Sequence, residues 1–335
     1  MVVETDVRFF TAKDAPANAL ANQNIAILGY GHLGRPFALN LRDSGVESLW
    51  IGNIEDTYAE QARQDGFEVL SIDQASAGAD IVLVLLSDEI IPEIYQQQIA
   101  PALRPGSAIV FASGYTLAYN LIEPAAELDV LLLAPRMAGE NARQRFLEQL
   151  GFFAYVAVEQ DASGQAWQRL LGLASGVGVL QAGALELDAR READIDLFIE
   201  QTLGAVLGVA IMQAFAIGEE AGIPAEALVM EMYMSQEMEM VWRSFREMGF
   251  FKAASVHGPT AMYGGFIRTM QFMQAGLAEQ FSQILAEIQN GTFARQFQDE
   301  RLAGYPQLAI AQAMSMDDSP IAQAEARLRN RMAQA

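Results

Sequence analysis

The feature that most constrains this chain is a glycine-rich turn near its start, in the segment "NIAILGYGHLGRPFALNL". Gly29, Gly31 and Gly34 form the pattern G-x-G-x-x-G between an apolar strand-like run and a helix-like one. Such glycines permit a tight turn, the approach of a pyrophosphate to the backbone, and close packing of helix on strand. The helix N-terminus then faces the phosphates. The segment predicts a dinucleotide-binding loop; the alternative is a glycine-rich turn without a ligand.

Short apolar runs alternate with helix-like segments from residue 24 to about residue 183. The runs are "NIAILGY", "SLWIGN", "EVLSI", "DIVLVLL", "SAIVFAS", "DVLLLAP" and "FAYVAVE". Nearly continuous apolar runs of this length are typical of strands that are covered on both faces. Their alternation with helices predicts a doubly wound, mainly parallel sheet. We therefore assign residues 1–183 to an α/β Rossmann domain.

Strand signals stop after about residue 184, and long stretches with helical spacing follow. These stretches cover residues 194–222, 224–248, 266–290 and 319–334. We predict an all-α domain over residues 184–335 that provides substrate-binding and dimerisation surfaces. Methionines are frequent between residues 212 and 248, and their flexible side chains are predicted to fill a core or a helix interface.

The composition excludes several classes of partner. The chain of 335 residues carries a formal net charge of −21 and no cysteine. Such a surface repels nucleic acids and anionic lipids, and disulfide or thiolate chemistry is ruled out. The apolar runs are too short to span a bilayer, and the first twenty residues do not resemble a signal peptide. We expect a cytoplasmic protein without nucleic-acid or membrane partners.

Two acids follow the second predicted strand, which ends at Asn53. Glu55 and Asp56 lie roughly 20 residues beyond the last glycine, where an acid usually binds the ribose 2′-hydroxyl. No lysine or arginine occurs between residues 43 and 62, so we predict that NAD(H) is favoured over NADP(H). The alternative is that the two acids only cap the next helix. The predicted cofactor-binding residues are Gly29, Tyr30, Gly31, His32, Leu33, Gly34, Asn53, Glu55, Asp56, Leu86 and Ser87.

Segments along nearly the whole chain resemble the ketol-acid reductoisomerases. They include "GYGHLGRPFALNLRDSG", "DIVLVLLSDEIIPEIYQQQIAPALRPGSAIVFASGY", "LLLAPRMAGE", "DIDLFIEQ", "TAMYGGFIRT" and "IAQAEARLRNRM". The resemblance implies a Rossmann N-terminal domain and a helical, knotted C-terminal domain. It also implies a homodimer in which the partner chain completes each active site. The family performs a magnesium-dependent alkyl shift on acetohydroxyacids, followed by hydride transfer from a nicotinamide.

The resemblance also identifies candidate site residues, several of which depart from the family pattern. A family helix supplies two carboxylates to magnesium, and these correspond here to Asp196 and Glu200. A second helix supplies two more, but only Glu237 remains, because Tyr233 replaces the first. Ser113 corresponds to a family histidine. The predicted catalytic residues are Arg136, Asp196, Glu200, Tyr233, Glu237 and Ser113.

Two further correspondences concern the substrate. Arg136 occupies the position of a family lysine, and its planar guanidinium suits a bidentate grip on a substrate carboxylate. The alternative is a surface arginine. The family's substrate-contacting serine corresponds to the neighbourhood of Gly258, with Ser255 close by, and His257 lies in the same loop.

The roles expected of these residues follow from their chemistry. Asp196 and Glu200 share a helical face at spacing i, i+4 and, with Glu237, are predicted to hold one magnesium ion; the alternative is a solvated helix edge. Tyr233 is predicted to donate a proton, oriented by Glu237, or only to pack. Ser113 is predicted to hydrogen-bond the cofactor carboxamide or the substrate, or to be a structural turn residue.

Loss of a carboxylate at position 233 puts the alkyl shift in doubt, because that step relies on metal ions to polarise the ketol. We therefore expect an NAD(P)H-dependent reductase of a C=O or C=N bond in a small 2-oxo or 2-imino carboxylate, without alkyl migration. One alternative is a genuine magnesium-dependent ketol-acid reductoisomerase that converts 2-acetolactate to 2,3-dihydroxyisovalerate. Another is a non-catalytic dinucleotide-binding homologue.

Overall fold

The computed structural model describes residues 7–137, 139–253, 257–314 and 319–334. It divides into two compact units, Met1–Ile195 and Asp196–Ala335. The predicted domain boundary, after residue 183, lies shortly before this division and stays a prediction.

The first unit is built on a nine-stranded sheet. Its strands are β1 (Phe9–Phe10), β2 (Ile25–Leu28), β3 (Leu49–Gly52), β4 (Val69–Leu70), β5 (Ile81–Val84), β6 (Ala108–Phe111), β7 (Asp129–Pro135), β8 (Ala154–Gln160) and β9 (Ala184–Glu186). They are ordered β1-β9-β8-β7-β6-β5-β2-β3-β4. The order reverses between β2 and β5, and ligands bind in the crevice at the carboxyl ends of strands at such a point.

The sheet is mainly parallel, as predicted. Strands β2 to β7 pair in parallel, β7 pairs antiparallel with β8, and β1 pairs antiparallel with β9. Every residue of β2, β5 and β6 is buried, in agreement with strands covered on both faces. The sequence did not predict β1 and β9, because two or three residues carry no readable periodicity.

Helices cover the sheet of the first unit. They are α1 (Gly34–Asp43), α2 (Thr57–Gln64), α3 (Ile72–Gly78), α4 (Ile91–Ile94), α5 (Tyr115–Ala118), α6 (Glu140–Leu147), α7 (Ala166–Val177), α8 (Val179–Ala182) and α9 (Ala189–Ile199), with a 3₁₀ turn at Ala12–Asp14 and a π turn at Tyr95–Ile99. Helix α9 crosses the division between the two units.

The second unit is helical, as predicted. Its helices are α10 (Ala205–Glu220), α11 (Ala225–Val229), α12 (Glu237–Met248), α13 (Phe250–Ala253), α14 (Pro259–Met273), α15 (Leu277–Gln289), α16 (Thr292–Leu302), α17 (Pro306–Met314) and α18 (Pro320–Met332), with π turns at Glu200–Gly204 and Met230–Met234. The fold class is therefore confirmed; the knot stays a prediction.

Several predicted helix bounds in this unit were wrong. The stretch 224–248 is interrupted before α12, where Gln236 adopts a left-handed conformation with φ 66°. The stretch 266–290 is interrupted at Gly276, with φ 77°. Helices α16 and α17 were not predicted. A left-handed residue ends one helix and reorients the next, which apolar periodicity does not reveal.

The strand-like apolar runs are too short to span a bilayer, but the expectation did not take in the helical run Ala189–Glu220. By length and composition this run is long and apolar enough to cross a membrane, the one such helix in the part of the chain that the structure describes. Only 6% of its most apolar window is buried.

Candidate active site

The glycine-rich loop has the geometry that the motif predicts. Gly29 has φ +94°, and a Cβ there would lie 2.6 Å from the Leu85 carbonyl oxygen. A Cβ at Gly34 would lie 2.0 Å from the Gly29 carbonyl oxygen, whereas one at Gly31 would meet nothing within 4 Å. Gly29 and Gly34 are therefore required by the fold. The open space at Gly31 is what the approach of a pyrophosphate needs.

Polar side chains after β3 hold the turn that leads into α2. The Asn53 side-chain oxygen accepts from the Tyr30 backbone N–H at 3.3 Å. Asp56 Oδ1 accepts from the backbone N–H groups of Tyr58 and Ala59, and from Asn53 Nδ2, all at 2.9 Å. Asp56 is thus the N-cap of α2. Asp56 therefore caps the next helix, which was the alternative to ribose binding. Ribose binding by Asp56 stays a prediction.

Glu55 has a different partner. Arg63 donates to both Glu55 carboxylate oxygens, at 2.9 and 2.5 Å. The Arg63 guanidinium lowers the pKa of the Glu55 carboxyl, mainly through these hydrogen bonds. The absence of lysine and arginine from residue 43 to residue 62 therefore does not leave this loop without a cation, because Arg63 folds back onto it from the last turn of α2.

A cavity of about 460 Å³ opens beside the loop. Its walls comprise Tyr30, Gly31, His32, Arg35, Pro36, Thr57, Tyr58, Gln61, Gly139 and Glu140. His32 is exposed at this cavity, whereas the Tyr30 ring is buried. The Tyr30 hydroxyl donates to Asp65 at 2.9 Å, and burial together with this carboxylate raises its pKa. We infer that Tyr30 contributes packing more than direct polar contact.

The loops after β5 and β6 form the other side of the crevice. Leu86 is half-buried and would be 3.0 Å from a Cβ at Gly29, while Ser87 is exposed. The Ser113 hydroxyl donates to Asp88 at 3.2 Å and accepts from the Tyr115 backbone N–H at 3.2 Å. Ser113 is thus held in its turn, and the sequence analysis did not identify Asp88 as its partner.

Arg136 is not a free surface arginine. It donates to Glu192 Oε1 at 2.8 Å, and its guanidinium lies 4.9 Å from the Tyr155 ring centroid. The other Glu192 oxygen accepts from the Gly114 backbone N–H at 2.6 Å. Glu192 is 1% exposed. One buried carboxylate therefore orients both Arg136 and the turn that contains Ser113.

Glu192 was not predicted as a site residue, although its spacing to the next two acids indicates it. Glu192, Asp196 and Glu200 follow one another at intervals of four residues on one helical run. This spacing places three carboxylates on one face. The first of them is the positioning residue for Arg136.

Asp196 and Glu200 differ in environment: Asp196 is half-buried and Glu200 is exposed at the start of a π turn. Such turns are frequent at functional sites. The carboxylate oxygens of Asp196 and Glu200 are ligands that suit magnesium. Among the residues that the structure describes, no three His, Cys, Asp or Glu side chains form a metal-binding group. The predicted set with Glu237 stays a prediction.

Tyr233 lies in the π turn Met230–Met234 of the second unit. Its hydroxyl donates to Glu325 Oε1 at 2.6 Å. Burial and the Glu325 carboxylate raise the pKa of Tyr233 above its ordinary value of about 10, so the phenol is protonated at neutral pH and stays so further into the alkaline range. The acid that is hydrogen-bonded to Tyr233 is therefore Glu325, and a role for Glu237, which begins α12, stays a prediction. No local pattern indicates Glu325 as the partner of Tyr233, because the two residues are 92 positions apart in the chain.

The remaining substrate candidates lie near α14. Gly258 is the N-cap of this helix, and His257 is exposed. Ser255 lies outside the described residues.

The sheet order, the glycine loop and the capped turn after β3 together define a Rossmann-type dinucleotide-binding protein. Comparison with known families then identifies the particular one. Residues 19–183 match the family model described as acetohydroxy acid isomeroreductase, NADPH-binding domain. Residues 190–334 match that of the ketol-acid reductoisomerase C-terminal domain. The chain belongs to the ketol-acid reductoisomerase family and is an NAD(P)-dependent oxidoreductase.

Individual relatives agree with this assignment. The chain is 35% identical over 300 residues to the "Putative ketol-acid reductoisomerase 3" of Saccharolobus solfataricus, covering 88% of this chain and 90% of that protein. A solved NADH-preferring ketol-acid reductoisomerase from an uncultured archean has a TM-score of 0.89 and 32% identity, covering 96% and 98% of the two chains. A pyrroline-5-carboxylate reductase from Coxiella burnetii, 14% identical, covers 80% and 96% of the chains with a TM-score of 0.54 and shares the fold.

Proposed function

We propose that this protein is an NADH-preferring reductase that acts on a C=O or C=N bond of a small 2-oxo or 2-imino carboxylate, without alkyl migration. The observation that carries the proposal is the hydrogen bonding and protonation of Tyr233. A neutral phenol, bonded to Glu325, stands where the family resemblance places a metal-binding carboxylate. Removal of one negative charge weakens a two-metal site more than a single-metal one.

The residues of the first unit suit substrate binding and orientation. A bound nicotinamide supplies the hydride. Arg136, oriented by Glu192, is proposed to grip the substrate carboxylate. Ser113, tied to Asp88, is proposed to hydrogen-bond the carboxamide or the substrate. These residues hold the acceptor carbon in place, and orientation of this kind accounts for much of the rate enhancement in hydride transfer.

Asp196 and Glu200 fit one magnesium ion that keeps several of its waters. We propose that the third carboxylate is Glu237 of the partner subunit, since the single chain does not bring it to the other two within the described residues. A single ion of this kind would polarise the substrate oxygen.

Preference for NADH is supported by the acidic loop after β3, where Glu55 is exposed. It is also supported by similarity to the structure that is described as NADH-preferring. The matching family model is described as NADPH-binding, so the preference of this chain needs a direct measurement of both dissociation constants.

A homodimer with shared active sites is supported by the exposed apolar faces of the second unit. Exposed side chains on α10 and α14 include Leu207, Val209, Met212, Phe266 and Phe272. Contiguous exposed apolar surface marks an interface. We propose that a second copy of the chain covers these apolar faces. We also propose a cytoplasmic protein without membrane or nucleic-acid partners.

A second function is favoured by the relatives that carry the reductoisomerase name. This second function is genuine ketol-acid reductoisomerase activity, which converts 2-acetolactate to 2,3-dihydroxyisovalerate. The metal ligands would then differ from those of the family pattern. The non-catalytic alternative is set aside, because the family assignment is to an oxidoreductase.

The decisive experiment follows the loss of NADH absorbance with magnesium and either 2-acetolactate or its rearranged intermediate, 3-hydroxy-3-methyl-2-oxobutyrate. Turnover of the second compound alone is the expected result. Equal turnover of both would establish the reductoisomerase instead. With neither turned over, a panel of 2-oxo and 2-imino acids tests the reductase, and failure on that panel would contradict the proposal.

A further inference from the structure

The glycine loop has little side-chain charge to offer a diphosphate. No lysine or arginine lies between Lys13 and Arg35. Arg35 donates to Asp65 at 2.7 Å and to Glu140 at 2.8 Å, so two carboxylates already share its charge. Helix α1 has Leu33 at its N-cap and no acid in its first turn. The positive end of α1 is thus open to an anion, whereas the permanent cation beside it is already paired.

His32 is the one side chain of the glycine loop, residues 29–34, that can become positively charged. It directly follows Gly31, where the backbone has the open space that a diphosphate needs. Both residues line the cavity of about 460 Å³, and His32 is exposed there. An imidazole ordinarily gains its proton between about pH 8 and pH 5. The charge of the loop can therefore change by one unit within this range.

The other charges around this cavity nearly cancel. Helix α1 contributes Arg35 and α6 contributes Glu140, and these two form an ion pair. Helix α2 contributes the uncharged Tyr58. Asp65, just after α2, accepts from both Arg35 and the Tyr30 hydroxyl. One cation thus faces two carboxylates, and the two charges of a bound diphosphate would be the largest change that the imidazole meets.

We propose that protonation of His32 strengthens cofactor binding, so that the affinity of this protein for its dinucleotide rises as pH falls. The proposal rests on the proposed function, because it needs a dinucleotide on the glycine loop, and it adds a regulation of that site. A bound diphosphate favours the imidazolium over the neutral imidazole. By linkage, the affinity falls as pH rises through the titration range of the imidazole and is constant outside that range. NADH and NADPH share the diphosphate, so the effect is independent of the choice between them.

The test is isothermal titration calorimetry of the full-length protein with ADP-ribose at pH 6.0 and at pH 8.5, in low salt. ADP-ribose carries the diphosphate and lacks the acid-labile dihydronicotinamide. Its Kd is expected to be about three- to tenfold smaller at the lower pH, the scale of one added charge in a partly solvated site. Titrations near pH 7 in buffers of different ionisation enthalpy are expected to show uptake of up to about half a proton per ADP-ribose.

His32→Asn replaces the imidazole by a polar side chain that cannot gain a proton. ADP-ribose is expected to bind this variant with a Kd that changes by less than about twofold between the two pH values, without proton uptake. His257→Asn is the matched control, because His257 is the only other histidine of the chain and lies in the second unit. This control is expected to keep both the pH dependence and the proton uptake of the wild-type protein.

Three outcomes would overturn the proposal: equal affinity of the wild-type protein at the two pH values, a pH dependence that persists in His32→Asn, or its loss in His257→Asn. Failure of the proposed function is distinguishable from these. A wild-type protein that binds ADP-ribose with the expected pH dependence but reduces no 2-oxo or 2-imino acid contradicts the reductase alone. A wild-type protein that binds neither ADP-ribose nor NADH at either pH contradicts both.

Discussion

The two units of this protein differ in how many of their apolar side chains they bury. The first buries whole strands, such as Ile25–Leu28 and Ile81–Val84, between layers of helices. In the second, the described core cluster is small and comprises Phe215, Val229, Ala324 and Leu328. Burial of apolar surface is the main stabilising contribution to folding. The first unit therefore has an extensive core, whereas the second leaves many of its large apolar side chains exposed in the single chain.

Substitution on the apolar face of α10 gives the sharpest test of this comparison. If α10 forms the proposed dimer interface, Leu207→Arg is expected to abolish the dimer, because an unpaired buried charge costs about 3–5 kcal/mol. Leu147→Arg, in the first unit, is the matched control and is expected to change stability by less than about 0.5 kcal/mol. The two leucines are 43% and 56% exposed in the single chain. Sedimentation velocity measures the assembly, and equal behaviour of both variants would refute the contrast.

Variants of the Arg136–Glu192 ion pair distinguish what this pair contributes to stability from what it contributes to activity. Arg136→Ala leaves Glu192 buried without this partner, and a loss of about 3–5 kcal/mol in the free energy of unfolding is expected. A fall in kcat/KM of about a hundredfold or more is expected for a lost carboxylate clamp.

Arg136→Met/Glu192→Gln is the companion variant for this pair. It is expected to recover stability, because no buried charge remains, but not kcat/KM. Recovery of both quantities would assign the pair a purely structural role.

The glycine loop provides a matched pair of substitutions. Gly34→Ala places a Cβ 2.0 Å from the Gly29 carbonyl oxygen, and the resulting strain is expected to cost about 1–3 kcal/mol. Gly31→Ala meets nothing within 4 Å, so its melting temperature is expected to stay unchanged while NADH binding weakens. Thermal unfolding and NADH titration check the pair, and a stable Gly34→Ala would contradict the geometry.

The smallest expected effect concerns two tyrosines, one in each unit. Tyr30 donates to Asp65 and Tyr233 to Glu325, and burial raises the pKa of both phenols above the ordinary value. Between the ordinary value of about 10 and the raised one, the folded state retains protons that the unfolded state has lost. The free energy of unfolding therefore decreases as pH rises above about 10 and is unaffected by these groups below it.

Replacement of either tyrosine by phenylalanine is expected to reduce this alkaline loss. At neutral pH each replacement is expected to cost about 0.5–1.5 kcal/mol, the net contribution of one hydrogen bond. Unfolding in denaturant at several pH values measures both effects. An unaltered alkaline slope in both variants would show that other groups titrate there.

Local patterns allowed the first unit to be predicted well. The seven predicted apolar runs all contain strands, since a continuous apolar run bounded by turns needs no distant information. The glycine motif was interpreted correctly for the same reason. Strands β1 and β9 were missed because runs of two or three residues carry no readable periodicity.

Most of the contacts in the candidate site that the sequence did not predict join residues that are far apart in the chain. Ser113 with Asp88 and Tyr233 with Glu325 are separated by 25 and 92 residues. No spacing rule connects such positions, because only the folded chain brings them together. Arg63 with Glu55 is nearer, but the pairing depends on how α2 turns back after its cap.

The sequence by itself determined the fold class, the dinucleotide loop and the family, because each rests on short local patterns that can be recognised without knowing which distant residues meet. The tertiary structure decided which charges are already engaged: Arg136 by Glu192, Glu55 by Arg63, and Tyr233 by Glu325. The physical reason is that the strength and role of a charge depend on its burial and its partners. Those are set by packing between distant segments.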